Sequence, residues 1–147
     1  GARMNSNIVR QAVNKAIADA AAPWPTFDLS DFVTMDEALS DVDSNAVLIQ
    51  YTAAGDNMVT IGGEGNQGYE ETGSIVLHVV VPSGFDSSPV IDRCDAIRLA
   101  VRGRRLADDV TVEQFDPFTD FGVGLGLYPG AWHGYAANLF VTYRDCG

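Results

Sequence analysis

Positive charge is what this chain has least of. It carries 9 Lys and Arg against 20 Asp and Glu, a formal net charge of -11 and a pI near 4.2. Between Ala16 and Asp92 there are 13 acids and no Lys or Arg. Such a surface repels a phosphate backbone, which argues against sequence-independent nucleic-acid binding. Long apolar runs are missing too. The longest, Ile75 to Val81, is broken by His78 and falls far short of the ~20 residues that cross a bilayer. No membrane partner is expected. Cysteine is limited to Cys94 and Cys146, and neither stands in a Cys-x-x-Cys pair. Cys94 reads as a small buried hydrophobe, and a cytosolic protein keeps such thiols reduced.

Other chemistries fail on pattern. Histidine occurs twice, at His78 and His133, and neither has a ligand or catalytic partner at a motif spacing. His78 is expected in the core or on a sheet face. Gly62-Gly63-Glu64-Gly65-Asn66-Gln67-Gly68 lacks the Gly-Lys-Ser/Thr that cradles phosphate, and Glu64, Glu70 and Glu71 repel one. Gly122-Val123-Gly124-Leu125-Gly126 neither follows a clear strand nor opens a helix, so a dinucleotide fingerprint fails on context. The carboxylates Asp28, Asp31, Asp36, Glu37, Asp41 and Asp43 fit no calcium loop and read as a solvated acidic face. No catalytic, cofactor or metal set emerges, and the chain does not read as an enzyme.

What is present is enough for one domain. The 147 residues and 46% hydrophobic content support a single core. Gly1-Ala2-Arg3 reads as a cloning remnant, with Met4 the natural start and 4–147 the domain. The segment after Met4 has no secretory core, so the expected location is the cytoplasm where the chain is made.

Periodicity predicts a helix over Asn7–Ala22, capped by Asn5 or Ser6 and stopped by Pro23 and Pro25. An acidic connection follows to Ser44, pinned by Phe27 and Phe32, with a helical turn at Met35–Leu39. Ala46–Tyr51 reads as a strand. Ala53–Gly68 reads as turn-rich, with a short strand at Met58–Ile61. Tyr69–Val81 is apolar on both faces and should be central. Ser87 or Ser88 caps a second helix with Pro89 in its first turn. Val90, Cys94, Ile97 and Val101 are its buried stripe, Arg98, Arg102 and Arg105 its basic stripe, and Gly103 its terminator. Val110–Phe115 and Tyr135–Tyr143 are further strands. The glycine-aromatic stretch Asp116–Gly134 reads as a hairpin arm or a loop ordered by a partner. The expected class is α+β, a mainly antiparallel or mixed sheet with two helices on one face, in α-β-β-α-β-β order.

One stretch resembles a known family. Gly68-Tyr69-Glu70-Glu71-Thr72-Gly73-Ser74-Ile75-Val76-Leu77-His78-Val79-Val80-Val81-Pro82-Ser83-Gly84 is similar to the central strand of tail terminator and tail completion proteins of long-tailed phages. There a Glu-x-x-Gly opens a strand that ends in a Pro-x-Gly loop and leads into an amphipathic helix, here Ser88 to Arg102. The resemblance implies a structural protein, not a catalyst. It implies a hexameric ring at the head-proximal end of the tail tube, formed by copies that can be monomers until they meet the tail. That ring stops tube polymerisation and faces the head-completion proteins, while DNA passes through its lumen without specific binding. Its location is the host cytoplasm during assembly and then the virion tail. A ring needs two different patches per copy. The expected contact residues are Arg98, Arg102, Arg104 and Arg105 against acids such as Glu70, Glu71 and Asp108, with Phe121, Tyr128 and Trp132 from the glycine-aromatic stretch. The alternatives are another head-tail joining or tail-tube component and, from a different class, a small ligand-binding domain or enzyme with its site at 116–134.

Overall fold

The computed structural model describes residues 7–29, 35–40, 45–60, 67–82, 84, 87–107, 110–123 and 132–145. The cap expected at Asn5 or Ser6, together with Phe32 and Cys146, lies outside them. The chain is mixed α and β, with one seven-stranded sheet and three helices among the described residues. Its elements are α1 (Asn7–Ala21), β1 (Thr26–Asp28), α2 (Met35–Ser40), β2 (Ala46–Thr60), β3 (Gln67–Pro82), α3 (Ser87–Val101), β4 (Arg105–Ala107), β5 (Val110–Phe115), β6 (Thr119–Val123) and β7 (Trp132–Asp145). That order is richer than α-β-β-α-β-β, because three short strands and a one-and-a-half-turn helix interrupt it.

The sheet runs β1-β2-β3-β7-β5-β4, with β6 paired to β7. Only β1 and β2 are parallel. β3 is central, as its two apolar faces require. Its odd residues Ile75, Leu77, Val79 and Val81 are buried with Val9, Val13 and Ile17 of α1 and with Val90, Cys94, Ile97 and Val101 of α3. Burying that many large side chains on one face, at ~25 cal/mol per Å², is the main force holding the two layers together. α1 and α3 touch each other on this face. The third helix, α2, sits on the other side, where Leu39 joins Ala46, Leu48 and Val80 in a second, smaller cluster. Phe27, Phe121 and Trp132 pack against that cluster, so Phe27 does anchor the acidic connection.

One stretch departs from the sequence reading. Residues 53–57 are not turns, and the short strand expected from Met58 is the end of a longer one. Residues 53–60 continue β2 and pair with β3 from Ala53↔Ser74 to Thr60↔Gln67, after a register shift between Tyr51 and Ala53. Gly55, Asp56 and Asn57 have poor strand propensity, but β3 supplies a ladder for them and pairing overrides propensity. β3 is itself paired on its other edge with β7 from Tyr69↔Asp145 to Pro82↔Trp132. The hairpin-arm reading of 116–134 holds for its described part, where β6 pairs antiparallel with β7. Because β3 occupies one edge of β7, β5 and β6 must share the other edge, β5 beside Leu139–Tyr143 and β6 beside His133–Ala136. They are one run of chain interrupted at 116–118, where Pro117 has no N–H to give a ladder. The Asp116 N–H bridges the break by donating to the Asn138 carbonyl at 2.9 Å.

The loop from β3 into α3 turns through Gly84, at φ 93°, and α3 ends through Gly103, at φ 69°. Both angles are in the left-handed region that side chains resist. Arg93 ties the helix layer down further. Its Nη1 donates to the Ala22 carbonyl at 3.0 Å, and its guanidinium lies 5.5 Å from the centre of the Trp24 ring.

Candidate functional site

The expected interface residues separate onto two sides of the sheet. Arg98, Arg102, Arg104 and Arg105 belong to α3 and the turn after it. Arg98 is half-buried and its Nε donates to the Phe115 carbonyl at 2.8 Å, which ties α3 to the end of β5. It therefore serves the domain itself. The other three are exposed, Arg102 just before the left-handed Gly103 and Arg104 and Arg105 just after it. The Arg102 N–H donates to the Arg98 carbonyl at 2.8 Å and the Arg104 N–H to the Val101 carbonyl at 3.1 Å, so the turn is defined. Neither the Arg102 nor the Arg104 side chain forms an ion pair among the described residues. Phe121 on β6 and Trp132 on β7 lie across the sheet from α3, partly buried against the Leu48–Val80 cluster. Glu70 and Glu71 sit on β3 in register with Arg144 and Tyr143 of β7, and their side chains are outside the described ones. Asp108 and Tyr128 lie outside the described residues.

The face that carries Phe121 also holds the one buried polar side chain of the described core, His78. On β3 it points away from α1 and α3, between Leu48 of β2 and Ala136 of β7. Its Nε2 lies 2.9 Å from Gln50 Oε1, at hydrogen-bonding distance. Burial depresses its pKa to about 4, so the ring is neutral. Over His78 a cleft of about 350 Å³ opens. Val76 and Ala136 line its apolar part, Phe121 and Pro117 one wall, and Gln50, Asn138, Thr119 and Asp116 its polar rim. Asp116 Oδ1 accepts from Gln114 Nε2 at 2.6 Å. The cleft exists because the chain bends at 116–118. Sequence reasoning missed Gln50, Asp116 and Asn138. The signal available was the His inside a Val run, which demands a polar partner on the same face.

Other titratable groups are structural. Burial, and then Asp95, push the Cys94 thiol up to about 12, which makes it inert. The Tyr51 hydroxyl is pushed up by burial and then by Asp28, and donates to Asn14 Oδ1 at 2.7 Å. Asn14 Nδ2 donates to Asp28 at 3.1 Å, and Arg10 stacks 4.7 Å from the Tyr51 ring centre. This network ties α1 to β1 and β2. At the β6–β7 hairpin His133 Nε2 lies 2.6 Å from Asp120 Oδ1 and the ring stacks on Tyr135. Tyr135 is raised by burial and then by Asp120 and Cys94. Among the described residues no three His, Cys, Asp or Glu side chains are grouped to hold a metal ion. No described helix is long and apolar enough to cross a membrane.

No protein-family model matches the chain, and no curated protein matches it significantly in sequence.

Proposed function

We propose that the chain is a phage or prophage structural protein that caps the head-proximal end of a tail tube as a ring of identical copies. The observation that carries this reading is the strand-loop-helix unit from Glu70 to Val101. The stretch that resembles the tail-terminator family is the central strand of the sheet, it turns at a left-handed Gly84, and it feeds the helix that covers it. The long elements α1, β2, β3, α3, β5 and β7 support this reading, and β1, α2, β4 and β6 interrupt their order. The separation of basic and aromatic patches onto opposite faces suits head-to-tail contact, which a ring requires. In this role the chain needs no cofactor. Its excess of acid keeps DNA from adhering as it passes.

The test is electron microscopy of tubes built from a tail-tube protein of the same genome. Incubation with the chain should place a ring on one end of each tube, and tubes should then fail to elongate. Tubes that stay uncapped and keep growing would remove the proposal.

A further inference from the structure

The two faces of the molecule differ in charge as well as in covering. The Lys and Arg side chains described in the structure belong to α1, to α3 and to the turn into β4. The sheet face opposite α1 and α3 has none among the described side chains. It carries Glu113, which accepts from Thr142 Oγ1 at 2.8 Å, and Asp116 at the rim of the cleft over His78. Asp116 gives one carboxylate oxygen to Gln114, and the other has no partner among the described residues. It is half-buried, so a cation placed beside it would be screened less than on an open surface.

The end of α3 offers the complement. Leu99, 61% exposed, lies one helical turn before Arg102, and Arg102 and Arg104 are exposed in the turn that follows. An exposed apolar side chain close in sequence to two exposed guanidinium groups is the chemical complement of a cleft lined by Val76, Phe121, Asp116, Gln50 and Asn138. Phe140, 36% exposed on the same sheet face, extends the apolar part of the receiving surface.

We propose that the cleft at Asp116, Asn138 and Gln50 receives the Leu99–Arg104 turn of a second copy of this chain. The guanidinium groups of the turn pair with Asp116 and donate to the rim amide oxygens. Leu99 covers Phe121 and Pro117. Donor and acceptor lie on opposite faces of one sheet, so a copy that gives its turn to one neighbour keeps its own cleft open for another. Such a contact is head-to-tail and propagates into a ring or a filament. Closure into a ring rests on the cap reading above, whereas the contact itself rests on the complement of charge and apolar character.

Sedimentation equilibrium of the whole chain at low and high salt tests it. The chain should self-associate at low salt and dissociate as salt screens the pair. Arg102→Glu with Arg104→Glu should weaken association about tenfold or more, as should Asp116→Arg, and all three changes in one chain should recover most of it. Asp116→Asn keeps an acceptor for Gln114 and removes the charge. It serves if Asp116→Arg does not fold, which far-UV circular dichroism reports. Association indifferent to both Asp116 variants would overturn the proposal. So would a triple variant no better than its parents, a chain monomeric at every concentration, or a small molecule seated in the cleft. Tubes that are still capped by the Asp116 variants would sink this contact and leave the cap reading standing. A confirmed contact without capping would do the reverse.

Discussion

Acidification should destabilise this protein through a single histidine before its carboxylates titrate. His78 is 5% exposed and neutral, with a pKa depressed from 6.5 to about 4 by burial. In the unfolded chain the ring takes a proton near pH 6.5. The unfolded state therefore binds more protons over the window from 6.5 down to about 4, and stability falls with pH through that window. Above pH 6.5 the contribution is fully present. A tenfold difference in proton affinity between the folded and unfolded chain is worth about 1.4 kcal/mol, so the loss between pH 7 and pH 5 is about 2 kcal/mol. That is a sizeable fraction of the roughly 5–15 kcal/mol that holds a domain together. The assay is urea unfolding of the wild type and of His78→Gln at pH 7, 6 and 5. Gln keeps a polar group beside Gln50 and does not titrate, so the difference between the two curves isolates His78. The wild type should lose about 2 kcal/mol more than the variant on going to pH 5. Parallel losses would instead mean that water or a rearranged partner solvates the imidazolium in the folded state.

Three other perturbations probe the scaffold. Ile97→Ala empties a fully buried position between α3 and the sheet and should cost about 2–5 kcal/mol in denaturant unfolding; Leu99→Ala, on the exposed side of the same helix, should change folding stability by less than about 0.5 kcal/mol. Gly103→Ala should cost about 1–2 kcal/mol because its φ of 69° disfavours a side chain, whereas Gly103→Asn, which tolerates that region, should cost less; equal losses would place the effect elsewhere than the backbone. In a Cys146→Ser background the Cys94 thiol, buried and pushed up to about 12, should react with a thiol reagent only as fast as the protein opens, and rapid labelling of the native chain would contradict the core packing of α3.

The parts of the fold legible in the sequence are those whose burial is periodic. Ile75, Leu77, Val79 and Val81 alternate, and Val90, Cys94, Ile97 and Val101 repeat at helical spacing, so β3, α3 and the face they share could be read directly. The far half of β2 could not. Gly55, Asp56 and Asn57 look like turn residues, and only the partner strand at Glu70–Thr72 makes them a ladder. β1 and β4 are three residues each, too short to show a period. The candidate site was legible in part. The basic cluster stood out by charge, but Arg98 is bound to a carbonyl 17 residues away, a partner fixed by how α3 crosses β5. The cleft was invisible because His78, Gln50 and Asp116 come from three separate stretches of chain and meet only when it bends at Pro117. Its one sequence trace was a histidine where the strand called for valine.

In the proposed cap, copies of this chain join head-to-tail and end a tube. The most direct measurement is the length distribution of tail tubes polymerised with increasing amounts of the chain. Tubes should shorten as the chain rises, with one ring at one end of each tube. Arg102→Glu with Arg104→Glu should abolish the shortening. Tubes whose lengths do not depend on the chain, or that the Arg variant shortens as well as the wild type does, would contradict the proposed cap.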